Sequence, residues 1–293
     1  MQTAYFKDIG LIEYKEAWLF QEKFFNKILE IKSKNRNEGT KIATENHLIF
    51  CEHPHVYTLG NSGNKDNLLV NEEYLKSRGA TFYKTNRGGD ITYHGPGQIV
   101  GYPIFDLDNF FNDIGKYLRF LEEVIILTLK EYGLNGERSK GETGVWLDVG
   151  KPTARKICAM GVKTSRWVSM HGFAFNLNTD LSYFDNIIPC GINDKKVTSL
   201  QKEKGHKIDV NRAKSILKSN LEFFNTELSN FVKNKNAFSK FTNSKSALLR
   251  SALSKLAFVN CRLFDFIFLK GNCTSFILAA VPITISSDKD SVT

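Results

Sequence analysis

Apolar residues recur at helical spacing in four parts of the chain. Near the N-terminus, Tyr14, Trp18 and Phe25 fall on one helical face. Asn71, a residue type common at helix N-caps, precedes a second such pattern. The predicted helices cover residues 13–33, 71–78, 114–132 and 209–231.

Short apolar runs between these helices predict β-strands. The runs cover residues 47–51, 81–86, 99–107, 144–149, 156–165 and 167–178. Several of them adjoin as hairpins, and helices alternate irregularly with strands. This order favours an α/β (α+β) domain, with a mixed β-sheet flanked by helices, over a regular doubly wound sheet.

The last of these predicted strands has one bulky and one small face. His171, Phe173 and Phe175 occupy its odd positions, whereas Gly172 and Ala174 occupy even ones. Side chains alternate across a strand, so the two sets are expected on opposite faces. The small face would leave room for a slender ligand to lie against the sheet.

The amino-acid composition of the chain changes after about residue 232. Asn, Ser and Lys dominate residues 233–246, and residues 247–293 are apolar without clear periodicity. We therefore predict one domain over residues 1–232 and an atypical, loosely structured C-terminal extension over residues 233–293.

Composition narrows the class of protein. The chain has 293 residues, 42% of them hydrophobic and 24% charged, which is typical of soluble globular proteins and excludes collagen-like and disordered classes. Five cysteines, an odd number without a C-x-x-C pair, favour a reducing compartment. The sequence shows neither a signal peptide nor an apolar run of about 18 residues, so we expect a cytoplasmic protein without a membrane partner.

The net charge of +9 first suggests an acidic partner such as nucleic acid. However, residues 231–293 contain nine Lys or Arg and three acidic residues, which leaves 31 basic and 28 acidic residues in the rest of the chain. Nucleic-acid binding thereby loses its main support. Lys163 and Arg166 are candidates for a local basic patch that meets an acidic protein.

Residues 87–98, RGGDITYHGPGQ, are the densest cluster of candidate chemistry. Glycines let backbone N–H groups approach a ligand closely. A plain hairpin loop explains the glycines equally well, but Arg87, Tyr93 and His94 in the same segment favour a binding loop. The spacing of Gly95, Gly97 and the following glycine is not that of a dinucleotide site.

Cysteine chemistry gives the second candidate. Cys190 lies in a Pro-Cys-Gly turn, whereas Cys51 and Cys158 lie in predicted strands and are interpreted as core residues. Packing and nucleophilic roles both remain open for Cys190. A nucleophilic cysteine needs a base or a cation that stabilises its thiolate. The candidates are His94, His171 and Lys156.

The sequence gives little support for a metal site or a nucleotide site. His53 and His55 flank a proline, and no third ligand stands at a characteristic spacing, so we expect no metal site. The sequence contains no P-loop motif.

Several motifs occur together in one order over residues 1–230. They are EHPHVYTLG at 52–60, RGGDITYHGPGQIVGYPIFDL at 87–107, GVWL at 144–147, KICAMGV at 156–162, RWVSMHGFAFNLNTDLSYFDNIIPCGI at 166–192 and VTSL at 197–200. In these motifs the chain resembles the octanoyltransferases of lipoate biosynthesis, the lipoate–protein ligase B family.

The resemblance implies a fold and an activity. The fold would be that of the biotin and lipoate protein ligase catalytic domains. The activity would be transfer of an octanoyl group from octanoyl-acyl carrier protein to a lysine of lipoyl domains, through a cysteine thioester and without a cofactor. The implied acceptors are the lipoyl domains of 2-oxoacid dehydrogenases and glycine cleavage protein H, and we expect a monomer.

The resemblance also assigns site residues. Cys190 would be the nucleophile, and Lys156 would lower its pKa. Asp90 stands where the family more often has glutamine. The implied substrate-binding residues are Arg87, Gly88, Gly89, Asp90, Ile91, Thr92, Tyr93, His94, Ala159, Met160, Gly161, Gly172, Phe173 and Ala174.

Two alternatives remain open. One is an ATP-dependent lipoate or biotin ligase on the same fold, which activates a free acid and needs no cysteine nucleophile. The other is a non-catalytic acyl-binding module.

Overall fold

The computed structural model describes residues 4–188 and 196–222, which form two β-sheets and five α-helices. The strands are β1 (Ala4–Leu11), β2 (Asn46–Glu52), β3 (Val56–Leu59), β4 (Thr81–Lys84), β5 (Ile91–His94), β6 (Gln98–Ile104), β7 (Val145–Leu147), β8 (Arg155–Ser165), β9 (Val168–Asn176) and β10 (Lys196–Val197). The helices are α1 (Tyr14–Glu38), α2 (Glu72–Ser77), α3 (Ile114–Glu131), α4 (Leu200–Lys204) and α5 (210–222).

The larger sheet is mixed. Its strand order is β1-β2-β6-β9-β8-β10, and β7 also pairs with β8. The β1–β2 and β10–β8 pairs are parallel, and the other pairs are antiparallel. The smaller sheet has the order β4-β3-β5. The predicted mixed sheet flanked by helices is confirmed.

Helices cover both faces of the larger sheet. On one face, α3 and α5 pack against Phe173 and Phe175 of β9. On the other face, α1 packs against Ile49, Val100 and Ala174. Each face buries a separate apolar cluster, which is the usual way a central sheet satisfies its two apolar sides.

Helix boundaries follow local chemistry. The first helix extends past the predicted residue 33 to Glu38, where Gly39 adopts a left-handed φ of 67°. Asn71 caps α2 as predicted, since its side chain accepts a hydrogen bond from the N–H of Tyr74 at 2.9 Å. The apolar runs did not predict β1, β3, β5 or β10; β1 carries charged residues at a sheet edge, and β10 has only two residues.

The β8–β9 connection corrects two predictions. Arg166 and Trp167 form a two-residue turn with φ values of 47° and 64°, so β9 begins at Val168 and not at Trp167. His171 has a φ of 61°, and its ring lies 6.0 Å from that of Trp18 in α1. Its side chain therefore does not share the face of Phe173, because the left-handed backbone interrupts the alternation of side chains.

Three expectations fall partly or wholly outside the described residues. They concern Cys190, the predicted helix beyond residue 222 and the extension over residues 233–293, and they stay predictions. Within residues 4–188 and 196–222, no helix is both long enough and apolar enough to cross a lipid bilayer.

Candidate active site

Arg87 organises the glycine-rich loop that precedes β5. Its guanidinium is buried, and Nη2 donates to the carbonyl of Thr58 at 2.7 Å and to the carbonyl of Asp90 at 2.9 Å. The Nη1 group donates to the carbonyl of Gly88 at 3.0 Å. Arg87 thus folds its own loop around a buried cation and ties this loop to β3.

This loop lies directly against β8. The N–H of Gly88 donates to the carbonyl of Val162 at 2.9 Å. A Cβ atom on Gly161 would lie 2.6 Å from the carbonyl oxygen of Gly88, which no real Cβ contact permits. Glycine at 161 therefore allows close approach of two backbones. The structure brings together two of the predicted substrate-binding segments, 87–90 and 159–161.

The third predicted segment, 172–174, is packed differently from the expectation of an open face. A Cβ atom on Gly172 would lie 2.1 Å from the carbonyl oxygen of Gly101 and 2.6 Å from Cδ of Pro103. Ala174 is 4% exposed and belongs to the α1 cluster, and Phe173 belongs to the α3 cluster. The small residues here serve packing of β6 and α1, so the open-face interpretation is wrong.

The predicted residues of β5 point in opposite directions. Ile91 and Tyr93 belong to the apolar cluster of the smaller sheet, where Tyr93 stacks on Tyr183 at 4.9 Å. Thr92 and His94 take the opposite face because side chains alternate along the strand. His94 is bonded there to Thr58 and to Gln98.

Asp90 joins the glycine-rich loop to two neighbouring segments. Its Oδ1 atom accepts hydrogen bonds from the N–H groups of Asn64 at 3.1 Å and Ile91 at 2.7 Å. Its Oδ2 atom accepts from the amide of Asn67 at 2.5 Å. The carbonyl of Asn67 in turn accepts from the N–H of Ile188 at 2.8 Å. Two hydrogen bonds through Asn67 therefore connect Asp90 to Ile188, the last described residue before Cys190.

Three histidines near the loop are buried and neutral. Burial lowers the pKa of His53 to about 4 and that of His171 to about 3, and it lowers the pKa of His94 to well below its ordinary value. A neutral imidazole cannot supply a positive charge to a thiolate. His94 and His171 are therefore not suited to stabilise a thiolate by their charge.

A backbone carbonyl fixes the tautomer of His53. The Nδ1 atom of His53 lies 2.8 Å from the carbonyl oxygen of Ile12, so Nδ1 carries the proton and Nε2 accepts from the hydroxyl of Tyr102 at 2.7 Å. His55, by contrast, meets the hydroxyl of Tyr93 at 2.7 Å. The two histidines of the His-Pro-His motif thus have different partners. Within the described ranges, no three His, Cys, Asp or Glu side chains are grouped as metal ligands would be.

Lys156 lies near the start of β8, half-buried, with Nζ 4.6 Å from the ring centroid of Trp146. Val197 of β10 is its register partner, and the N–H of Thr198 donates to its carbonyl at 2.9 Å. The adjacent Arg155 binds Glu203 of α4 at 2.6 Å. The VTSL motif therefore attaches β10 and α4 to the strand of Lys156.

The two thiols in the described ranges, those of Cys51 and Cys158, lie in the apolar core. Cys51 and Cys158 are both 0% exposed, and burial raises the pKa of each thiol well above its ordinary value. Their interpretation as core residues is confirmed. The described residues on either side of 189–195 are Ile188, bonded to Asn67, and Lys196, the register partner of Arg155.

Four polar residues of this region were not predicted as site residues from the sequence: Thr58, Gln98, Asn176 and Thr198. All four are buried within or beside apolar strands. A polar residue in such a run needs a partner inside the protein. The polar residues within apolar runs were visible in the sequence, but their hydrogen-bond partners lie in distant segments of the chain.

The described residues share their fold with a known group of proteins. It is the fold of lipoate protein ligases: the bi-partite lipoate protein ligase of Thermoplasma acidophilum has a TM-score of 0.55 at 14% identity, over 75% of this chain and 82% of that one. A lipoate-protein ligase A bound with ATP has a TM-score of 0.53, also at 14% identity, over 75% of this chain and 83% of that one.

Sequence similarity is more specific. The family model described as the lipoyl protein ligase A/B catalytic domain matches residues 13–222. The octanoyltransferase of Christiangramia forsetii is 64% identical over 224 residues, which cover 76% of this chain and 96% of that protein. The octanoyltransferase of Flavobacterium johnsoniae is 62% identical over 224 residues, with coverages of 76% and 97%. The chain belongs to the octanoyltransferases, a family of acyltransferases, and the predicted family is confirmed.

Proposed function

We propose that the chain transfers an octanoyl group from octanoyl-acyl carrier protein to a lysine of lipoyl domains, as a step of lipoate biosynthesis. The acceptors would be lipoyl domains of 2-oxoacid dehydrogenases and glycine cleavage protein H. The similarity to proteins named octanoyltransferase supports the acyl group. The Thermoplasma ligase was solved as part of a lipoylation system with its E2 lipoyl domain, which supports the acceptor. We assign the reaction to a cytoplasmic monomer, within residues 1–232.

The observation that carries the proposal concerns the cysteines. Residues 13–222, matched by the family, contain Cys51, Cys158 and Cys190. The first two are fully buried, and burial raises the pKa of both thiols, which disfavours a thiolate near neutral pH. Cys190 is therefore the candidate for a covalent acyl-enzyme.

Lys156 is the proposed partner of Cys190. Chain connectivity supports this pairing, because the segment that contains Cys190 leads directly into β10, whose Val197 pairs with Lys156. The hydrogen bonds from Asp90 through Asn67 to Ile188 connect the glycine-rich loop, which lies against β8, to the last described residue before Cys190 and also support the pairing. A cation next to a thiol lowers the pKa of that thiol.

The reaction would proceed in two acyl transfers. In the first, the Cys190 thiolate attacks the thioester carbonyl of the donor, the bond to the carrier sulfur breaks, and the Lys156 ammonium passes its proton to the leaving thiolate. Because one thioester replaces another, this exchange is nearly isoenergetic and needs no ATP.

In the second transfer, the neutral amine of the target lysine attacks the acyl-enzyme. A C–N bond forms, the C–S bond to Cys190 breaks, and the neutral Lys156 amine accepts the proton that the attacking nitrogen loses. The thiolate and the ammonium are thereby restored. Amide formation from a thioester makes the overall reaction favourable, and proton transfer of this kind contributes about 100- to 10,000-fold in rate.

The acyl-enzyme can be detected by intact-mass measurement after the full chain is mixed with octanoyl-acyl carrier protein. We expect one added octanoyl group in the wild type and in a Cys51→Ala control, and none in Cys190→Ala. An adduct that survives Cys190→Ala would contradict the assignment of the nucleophile.

The role of Lys156 can be tested on the thiol itself. We expect Lys156→Met to move the midpoint of the pH dependence of Cys190 alkylation by iodoacetamide to higher pH. Lys163→Met serves as the matched control, because Lys163 lies on the same strand but over the ring of Phe25 at 5.1 Å. Equal midpoints in the wild type and in Lys156→Met would refute the pairing.

The choice of acyl substrate distinguishes the proposed enzyme from the two alternatives. An ATP-dependent ligase would acylate a lipoyl domain from free octanoate and ATP, whereas the proposed enzyme would do so from octanoyl-acyl carrier protein without ATP. A non-catalytic acyl-binding module would do neither.

A further inference from the structure

Three buried polar side chains interrupt apolar strands next to the proposed site. Thr58 of β3 is 0% exposed, Gln98 of β6 is 1% exposed, and Asn176 of β9 is 4% exposed. The proposed acyl transfer does not use any of them directly. Buried polar groups must nevertheless find hydrogen-bond partners, and here they find each other through His94.

Backbone carbonyls fix the orientation of both amides. The Nε2 group of Gln98 donates to the carbonyl of Tyr93 at 3.2 Å and to Oδ1 of Asn176 at 2.8 Å. The Nδ2 group of Asn176 donates to the carbonyl of Thr198 at 3.0 Å. A carbonyl can only accept, so neither amide can be turned over without loss of a hydrogen bond.

The amide of Gln98 in turn fixes the tautomer of His94. Its Oε1 atom lies 2.8 Å from Nδ1 of His94, so Nδ1 must carry the proton. The Nε2 atom then accepts from the hydroxyl of Thr58 at 3.3 Å. That hydroxyl oxygen accepts from Nη2 of Arg87 at 2.9 Å and from its Nε at 3.3 Å.

Each residue donates a hydrogen bond to the next in the order Arg87, Thr58, His94, Gln98, Asn176 and Thr198. We call these six residues the polar relay. At one end, Arg87 folds the glycine-rich loop. At the other end, the N–H of Thr198 donates to the carbonyl of Lys156 at 2.9 Å. The polar relay therefore links the glycine-rich loop to the strand of the proposed catalytic lysine.

We propose that Thr58, Gln98 and Asn176 are positioning residues for acyl transfer, which hold His94 in its Nδ1–H tautomer and hold the Arg87 loop in register with Lys156. The link to Lys156 rests on the proposed function. Hydrogen bonds aligned in one direction polarise and strengthen each other. Removal of a middle member leaves a buried donor or acceptor without a partner on each side.

The tautomer can be read directly by long-range ¹H–¹⁵N NMR of the imidazole of His94 in the full chain. We expect the Nδ1–H pattern in the wild type and in Gln98→Glu, which keeps an acceptor. In Gln98→Leu the acceptor is gone, and we expect the Nε2–H tautomer, donating to Thr58. A wild type with the Nε2–H pattern, or an unchanged pattern in a folded Gln98→Leu, would overturn the proposal.

Kinetics test the positioning role. For octanoyl transfer to a lipoyl domain, we expect Thr58→Val to lower kcat about tenfold with little change in KM, and Thr58→Ser to restore it. Thr128→Val is the matched control, because Thr128 is also 0% exposed but donates to the carbonyl of Val124 within α3. Equal kcat values for Thr58→Val and Thr128→Val would count against the polar relay. A wild type that lacks transfer but shows the expected tautomer would contradict the proposed function and leave the tautomer assignment standing.

Discussion

Three buried neutral histidines should make the fold sensitive to mild acid. Burial lowers the pKa values of His53, His94 and His171 in the folded chain, whereas an unfolded histidine titrates near 6.5. Below that pH the unfolded chain binds protons that the folded chain does not. Stability is therefore full above the unfolded pKa and falls with pH toward the folded values, about 4 for His53 and about 3 for His171.

The size of the effect follows from linkage. One such histidine lowers the free energy of unfolding by about 1.2 kcal/mol between about pH 7 and about pH 5.5. Three together give about 4 kcal/mol, a large share of the roughly 5–15 kcal/mol of a typical domain. Asp148, whose pKa Arg155 lowers to about 2, stays ionised in both states and adds little in this interval.

Urea denaturation of the full chain at the two pH values measures this loss. The three tryptophans, Trp18, Trp146 and Trp167, all lie within the described residues, so their fluorescence reports on this part of the chain. We expect His53→Gln to reduce the loss by about 1.2 kcal/mol, and the exposed His206→Gln to leave it unchanged. A wild-type loss below about 1 kcal/mol, or an equal loss in His53→Gln, would refute the reasoning.

Three further predictions concern packing and loop geometry. Gly172→Ala should lower the free energy of unfolding by about 3 kcal/mol in denaturant titration, because its Cβ would collide with the carbonyl of Gly101, whereas Gly115→Ala near the start of α3 should be neutral or stabilising. Glu122→Leu should cost about 3 kcal/mol by the same assay, since the buried carboxylate binds two arginines and the N–H of Gly144; a cost under about 1 kcal/mol would contradict this role. Asp90→Ala should speed proteolytic cleavage within residues 61–67, and an unchanged cleavage rate would show that Asp90 does not anchor this segment.

The sequence predicted those parts of the fold that local patterns specify. The helix over 114–132 has a strong apolar face, and α3 covers Ile114–Glu131 with Asp113 as a capping residue. Family membership followed from ordered motifs. The place of Trp167 in a turn with Arg166, and not in a strand, was not predictable, because left-handed backbone at two consecutive non-glycine residues runs against local preference.

The site was predicted less completely, because its organisation depends on long-range pairing. Gly172 looked like room for a ligand, but only the register of β6 against β9 reveals that Gly101 fills that space. Gln98 and Asn176 are cross-strand partners 78 positions apart in sequence. No local pattern connects such residues, so their hydrogen bond and the tautomer of His94 could come only from the structure.

The two-residue β8–β9 turn also has a consequence for the order of folding. Its strands pair from Ser165 and Val168 outward, so the first contacts close a very short loop, whereas the pairing of Gly101 with Phe173 closes a long one. Loop closure costs more entropy as the loop grows, so the β8–β9 hairpin should form before β6 joins it. This hairpin carries two of the three predicted substrate-binding segments, 159–161 and 172–174. Substitutions within it should therefore slow folding, while substitutions at the β1 edge should mainly speed unfolding.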